Sequence, residues 1–187
     1  CNIRSCFSFL NNNNYYCGLI KKLCKIKPIF VELGLQTANE KTAEAMLAPV
    51  VKEATEFLGD IVYGVDVTSL EAVCMAHLKE KGWTFATAES CTGGQIAARI
   101  TALPGASNVY RGGVVSYWTD VKAGVLGVPR ELLDTYGAVS EPVARAMAEG
   151  VRRLTGSDLA VSVTGLAGPD GDDRGNPVGT VYVGLNW

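Results

Sequence analysis

The stretch Ala88-Glu89-Ser90-Cys91-Thr92-Gly93-Gly94 constrains this chain more than any other. Residues 83–88 are apolar and β-prone, which predicts a buried strand. Residues 95–102 are rich in helix formers and place Ile96 and Ile100 one turn apart. A strand that runs through two adjacent glycines into a helix must turn sharply. Such a turn lifts one short side chain to the sheet edge and frees backbone N–H groups for whatever binds there. Ser90 is that side chain, and the amides of Thr92, Gly93 and Gly94 are candidate donors. Standing alone, the pattern is equally ordinary turn and cap chemistry.

Strands and helices alternate over most of the chain. Residues 1–30 differ in character from all the others. They hold an asparagine run (11–14) and a basic patch (21–27), and read as an extension that joins no core, either poorly ordered or an artefact of the gene model. Residues 31–67 form a linker segment, with a strand expected at 31–37 and a helix at 43–58 that Pro49 should kink. From residue 68 a steady alternation begins. Thr68 and Glu71 have capping-box spacing for a helix to Lys81, with Leu70, Val73, Cys74, His77 and Leu78 on one face and Gly82 as its stop. Residues 109–117 predict a strand broken at Arg111-Gly112-Gly113. Thr119 is placed to cap a short helix carrying Val121, Lys122, Val125 and Leu126. Pro129 suits the first turn of another helix, and Ser140 caps a third over 141–154. Strands come next at 158–164 and 178–185, joined by a loop rich in glycine and aspartate. This order predicts an α/β layer with helices on both faces of the sheet, and function gathered where strands end.

Several classes of function are excluded. The formal net charge of −2 leaves no electrostatic footprint for nucleic acid. No apolar run is long enough to span a bilayer, so no membrane partner is expected. Residues 1–30 do not have the form of a secretory leader. The six cysteines (1, 6, 17, 24, 74 and 91) have no metal-ligand spacing, and His77 is the single histidine. No metal is therefore expected, and sparse, uneven cysteines suit a reducing cytoplasm. Neither Gly-x-Gly-x-x-Gly nor Gly-Lys-Ser/Thr occurs, which removes dinucleotide oxidoreductases and phosphate-loop hydrolases.

A serine nucleophile needs a base. With His77 on a helix stripe, a Ser-His-Asp triad is hard to build, and lysine is the remaining common activator. Its ordinary pKa of about 10.4 must fall toward neutrality by desolvation or a neighbouring cation. Lys122 is the best candidate, because it comes after a strand end and lies amid Val121, Val125 and Leu126. Asp120 complicates this, since a nearby carboxylate would hold the proton on. The loop Thr164-Gly165-Leu166-Ala167-Gly168-Pro169 can bring N–H groups to a phosphate or an oxyanion, or be a plain surface loop. Arg111 can pair with a phosphate.

Four ordered motifs carry a family resemblance: residues 88–94, Gly112-Gly113-Val114-Val115-Ser116-Tyr117, Gly137-Ala138-Val139-Ser140-Glu141, and the loop from Thr164 to Pro169. Pro177-Val178-Gly179-Thr180-Val181 fits as well. From about Thr68 onward the chain resembles the C-terminal domain of the CinA family, which includes the nicotinamide-nucleotide amidohydrolases. The resemblance implies a three-layer α/β/α fold on a mixed sheet, no cofactor, a small-molecule nucleotide substrate and self-association into a homo-oligomer. It implies hydrolysis of nicotinamide mononucleotide to nicotinate mononucleotide and ammonia, in pyridine-nucleotide salvage. Ser90 takes the place of the nucleophile and Lys122 that of the lysine, with Tyr117 beside them. Thr92, Gly93, Gly94, Arg111, Thr164, Gly165 and Gly168 fall at positions expected to bind substrate. A nucleotide-binding module without turnover, within a larger CinA-like protein, is the alternative. The stretch Tyr117-Trp118-Thr119-Asp120-Val121-Lys122 departs from the commoner Tyr-Ser-Asn-Glu-Ala-Lys, while keeping the tyrosine and the lysine. Family members continue past the position of Trp187 through another strand and a helix, so a C-terminal truncation with apolar surface left uncovered is expected.

Overall fold

The computed structural model describes residues 40–187. The extension over 1–30 and the strand expected at 31–37 lie outside the described residues. The chain divides into two units at Asp66/Val67. In the first, helix α1 (Glu40–Leu58) runs on through Pro49, and its Met46, Val50 and Phe57 are exposed.

In the second unit the described elements are α2 (Leu70–Lys81), β1 (Phe85–Glu89), α3 (Gln95–Thr101), β2 (Tyr110–Val115), α4 (Thr119–Gly124), α5 (Arg130–Tyr136), α6 (Glu141–Thr155), β3 (Leu159–Gly165) and β4 (Val181–Asn186). Ser69, one residue after the expected Thr68, caps α2. Its hydroxyl oxygen accepts from the Ala72 amide, while Gly82 closes the helix in the left-handed conformation. The buried face differs from the expected stripe: Met75 and Leu78 pack inward, whereas Cys74 and His77 are exposed. Thr119 likewise opens α4 as its first residue instead of capping it, and Pro129 stands at the cap of α5, outside its first turn.

The sheet order is β2-β1-β3-β4. β1 pairs in parallel with β2 and β3, and β4 runs antiparallel to β3, so the sheet is mixed. β2 is not broken at its glycines. Phe85 pairs with Tyr110 and Ala86 with Gly112, which skips Arg111 in a bulge. Gly112, at φ +137°, takes a conformation that side chains resist.

Alternation along β1 and β3 builds two cores. Ala86, Ala88 and Ala160 face one side, packed with Leu126, Val128, Leu133, Val143, Met147 and Val151. Phe85 and Leu159 face the other, with Leu78, Ile100, Ala106 and Val109. Helices thus cover both faces of an α/β/α arrangement. Small residues let the layers approach: a Cβ on Gly150 of α6 would stand 2.0 Å from the Leu126 carbonyl oxygen. On β4, which begins at Val181 and not Val178, the side chains of Val181, Val183 and Leu185 are exposed, as is Trp187. No helix among the described residues is long and apolar enough to cross a membrane.

Candidate active site

The parallel strands deliver their C-terminal ends to one edge of the sheet, and the site grows from there. β1 ends at Glu89, and the Ser90 amide still donates to the Val163 carbonyl of β3. The chain then turns, with Gly93 donating to the Ser90 carbonyl and Gln95 to that of Thr92. Gly93 (φ +59°) and Gly94 (φ +95°) occupy the left-handed region that makes this turn possible. Ser90 is left 7% exposed at its head.

From β2 the neighbouring connection brings the base. The Ser116 amide donates to the Glu89 carbonyl at 2.7 Å, which fixes the Ser116 carbonyl beside the turn. Trp118 then opens α4 by accepting from the amides of Val121 and Lys122. Lys122 reaches back from α4 with 1% of its surface exposed. Its Nζ lies 2.8 Å from Ser90 Oγ and donates to the Ser116 carbonyl at 2.6 Å. Burial drives the amine down from 10.5 to about 8, with the Coulombic influence of Cys91 acting the other way. Asp120 does not hold the proton on, because its carboxylate pairs with Arg130 at 2.7 Å. No carboxylate among the described residues forms an ion pair with Lys122. A neutral amine at this place keeps its lone pair for the serine hydroxyl, while one N–H satisfies Ser116.

The other residues singled out from the sequence divide into three groups. Thr92, Gly93, Gly94 and Gly165 lie at this sheet edge. Gly165 abuts the turn so closely that a Cβ there would stand 3.1 Å from Cys91 Sγ. The Thr92 hydroxyl is buried with no hydrogen-bond partner. Gly168, further along the same loop, has φ +96°. Tyr117 comes directly after Ser116, 66% exposed. Thr164 is displaced from the expected role. It is fully buried, and its hydroxyl donates to the Ala138 carbonyl, which ties β3 to the 137–140 segment. Arg111 is not brought to this edge. It sits at the bulge beside Phe85, at the opposite end of the sheet, where its charge reaches Asp158.

Two contributors escaped the sequence reading. Ser116 acts through its backbone carbonyl, which has no side-chain signature. Glu89 is 1% exposed, and its carboxylate accepts from the amides of Ile96 (3.0 Å) and Ala97 (2.9 Å). Its one legible signal is a charge at the last position of a buried strand. A separate groove of about 340 Å³ lies between α2 and residues 103–109; none of the site residues lines it. No cluster of three or more His, Cys, Asp or Glu suited to a metal occurs among the described residues.

Comparison with known proteins places this geometry in a family. The chain is 48% identical over 158 residues to a CinA-like protein of Desulfovibrio desulfuricans, covering 84% of this chain and 37% of that protein. It is 50% identical over 155 residues to a CinA-like protein of Synechococcus sp. CC9311, covering 82% and 37%. The chain thus spans well under half the length of these relatives. A crystal structure of competence damage-inducible protein A from Klebsiella pneumoniae is similar at TM-score 0.62 and 41% identity, covering 63% of this chain and 73% of that one. Residues 67–187 match the CinA C-terminal domain, and by that match the chain belongs to the CinA family.

Proposed function

We propose that the chain is a Ser/Lys amidohydrolase that converts nicotinamide mononucleotide to nicotinate mononucleotide and ammonia. The observation that carries the reading is the 2.8 Å contact between Ser90 Oγ and a buried Lys122 amine. Burial makes the neutral form of that amine accessible near physiological pH. The substrate itself comes from the family resemblance.

In the first step Ser90 Oγ attacks the carboxamide carbon and passes its proton to Lys122 Nζ. The tetrahedral intermediate collapses as the C–N bond breaks. The Lys122 ammonium returns the proton to the departing nitrogen, so ammonia leaves and an ester to Ser90 remains. Water then attacks the ester, again giving its proton to Lys122. Cleavage of the acyl–oxygen bond releases the carboxylate and restores the serine hydroxyl. The oxyanion of both intermediates is received by turn amides. Those of Cys91, Thr92 and Gly94 engage no acceptor among the described residues.

The test is ammonia release from nicotinamide mononucleotide by the chain, beside Ser90→Ala and Lys122→Ala. Each variant is expected to lose at least about a thousandfold in rate while nucleotide binding is largely kept. Binding with no turnover in the unmodified chain would instead make it a nucleotide-binding module. Normal turnover in either variant would overturn the Ser/Lys assignment.

A further inference from the structure

Glu89 is a buried carboxylate with no cationic partner among the described residues, directly before the nucleophile. Burying such a charge is costly unless hydrogen bonds compensate it. Here two do, and they are placed unusually. α3 begins after Gly94, which has no side chain to cap it. The cap is supplied from the preceding strand: one carboxylate oxygen takes the Ile96 amide and the other the Ala97 amide. The five residues 90–94 are therefore bridged at both ends by one side chain, at residue 89 and at residues 96–97. The backbone adds a further tie, because the Glu89 carbonyl accepts from the Ser116 amide, and the Ser116 carbonyl holds Lys122.

The same contacts decide between two uses of the local N–H groups. A helix start attracts anions through its free amides. In α3 the Ile96 and Ala97 amides are already taken, by a group that is itself negative when ionised. A phosphate is not accommodated at that helix start. The amides of Cys91, Thr92 and Gly94 remain, within the turn that carries Ser90, where an oxyanion formed by attack of Ser90 would lie.

From these contacts we infer that Glu89 is a positioning residue: its two-pronged contact with α3 holds the 90–94 turn so that Ser90 and the turn amides converge on one reacting carbon. The inference rests on the Ser/Lys reading above but not on the identity of the substrate. It also accounts for a charge at a position where an apolar residue would fill a buried strand at lower desolvation cost. Displacing reacting groups by about 1 Å can cost on the order of a hundredfold in rate, which sets the size of effect to look for.

The test measures attack by Ser90 without requiring turnover of any natural substrate. A fluorophosphonate forms a Ser90 O–P bond as its P–F bond breaks. Fluoride leaves, the serine proton passes to Lys122, and the phosphoryl oxygen enters the oxyanion position. Labelling is monitored by intact mass and peptide mapping across pH on the 187-residue chain. It is compared with Glu89→Gln and Glu89→Asp, all at a temperature where circular dichroism reports each as folded. Glu89→Gln sets a donor against one of the two amides, and is expected to lower the labelling plateau about 10–100-fold while leaving the pH midpoint where the unmodified chain has it. Glu89→Asp keeps the charge but loses reach; it should also slow labelling, and it gives the answer if the glutamine variant does not fold. Unchanged labelling in both folded variants would reduce Glu89 to a structural cap and overturn the inference. So would a shifted midpoint with an intact plateau, since Glu89 would then act through the Lys122 proton and not through the turn. A chain that labels at Ser90 yet releases no ammonia from nicotinamide mononucleotide overturns the substrate reading alone. A chain whose Ser90 does not label overturns the Glu89 inference, because there is then no activated oxygen to position.

Discussion

The two ends of the sheet each carry an ionisable group held below its ordinary pKa, for opposite reasons. At one end, Asp158 is lowered because the backbone amide and hydroxyl of Thr84 donate to it, with help from the more distant charge of Arg111. Those contacts favour its charged form, and it stands in open solvent. At the other end, Lys122 is lowered because burial penalises its charged form. Asp158 is made more ordinary by its partners: a carboxylate that remains a carboxylate and ties residue 84 to residue 158. Lys122 is made less ordinary, into an amine that exchanges a proton near neutral pH beside a serine oxygen. The size of the shift matters less than its cause: hydrogen bonds preserve a carboxylate at Asp158, whereas desolvation makes a base of Lys122.

The largest effect should come from restoring the charge at the buried end. Lys122→Arg keeps a long cationic side chain but cannot become neutral near pH 7. Ammonia release is expected to fall at least about a thousandfold, as far as in Lys122→Ala. Substantial activity in the arginine variant would mean that the cation works by electrostatics and not as a base.

The pH dependence sharpens the same contrast. With Lys122 at about 8, roughly a fifth of molecules hold the neutral amine at pH 7.4. The kcat/KM profile should therefore rise with pH through a midpoint near 8 and then level off. Stability should obey the linked sign. Below about pH 8 the lysine is protonated in both folded and unfolded chains. Between about 8 and 10.5 the unfolded chain keeps a proton that the folded one has released, so stability gains with pH across that window. Denaturant titrations of the chain against Lys122→Met isolate this slope, which the methionine variant should lack.

How far the sequence disclosed this arrangement depended on the kind of signal each part leaves. Hydrophobic periodicity marked the strands and helices around Ser90 because burial acts on every second or every third and fourth residue. Short-range signals were ambiguous by one position, since Thr68 and Ser69 both suit a cap and Ser69 takes it, while packing against the sheet chose Met75 and Leu78 as the inner face of α2. Ser90 and Lys122 were candidates from local patterns that suit a plain turn and a surface lysine as well, and the family resemblance is what paired them. Arg111 looked equally local, yet as the second residue of β2 it lies at the opposite end of the sheet from Ser90. Glu89 left only the faint signal of a charge at the end of a buried strand, and Ser116 left none. One acts seven and eight residues away across a turn, the other through a carbonyl that every residue possesses.

A smaller effect tests the packing that brings the site together. A Cβ on Gly150 would stand 2.0 Å from the Leu126 backbone oxygen, and Leu126 lies just past α4, which carries Lys122. Overpacking commonly costs ~1–3 kcal/mol, and contact with backbone places this site toward the upper end. Alanine regains up to ~1 kcal/mol of helix propensity over glycine. Gly150→Ala should thus lose about 1–2 kcal/mol net in denaturant titration. A gain in stability would mean that α6 can shift without disturbing its neighbours.

The smallest effect belongs to the exposed end of the sheet, where Arg111→Ala should leave ammonia release unchanged. Arg111 was attractive as a phosphate ligand because a guanidinium at a strand–glycine junction can donate two bonds to one anion. In the fold it lies beside the Phe85–Tyr110 pair, whereas the reacting groups come after Glu89 and Val115 at the far end of the same two strands. Four strand residues separate the two levels, about 13 Å at ~3.3 Å per residue, and at its own end the Arg111 charge acts on Asp158. Removing the side chain should slightly weaken the ionised state of Asp158 and nothing more. A rise in KM for nicotinamide mononucleotide, with kcat kept, would show instead that the two ends serve one substrate, and that Arg111 reaches it by a route this single chain does not contain.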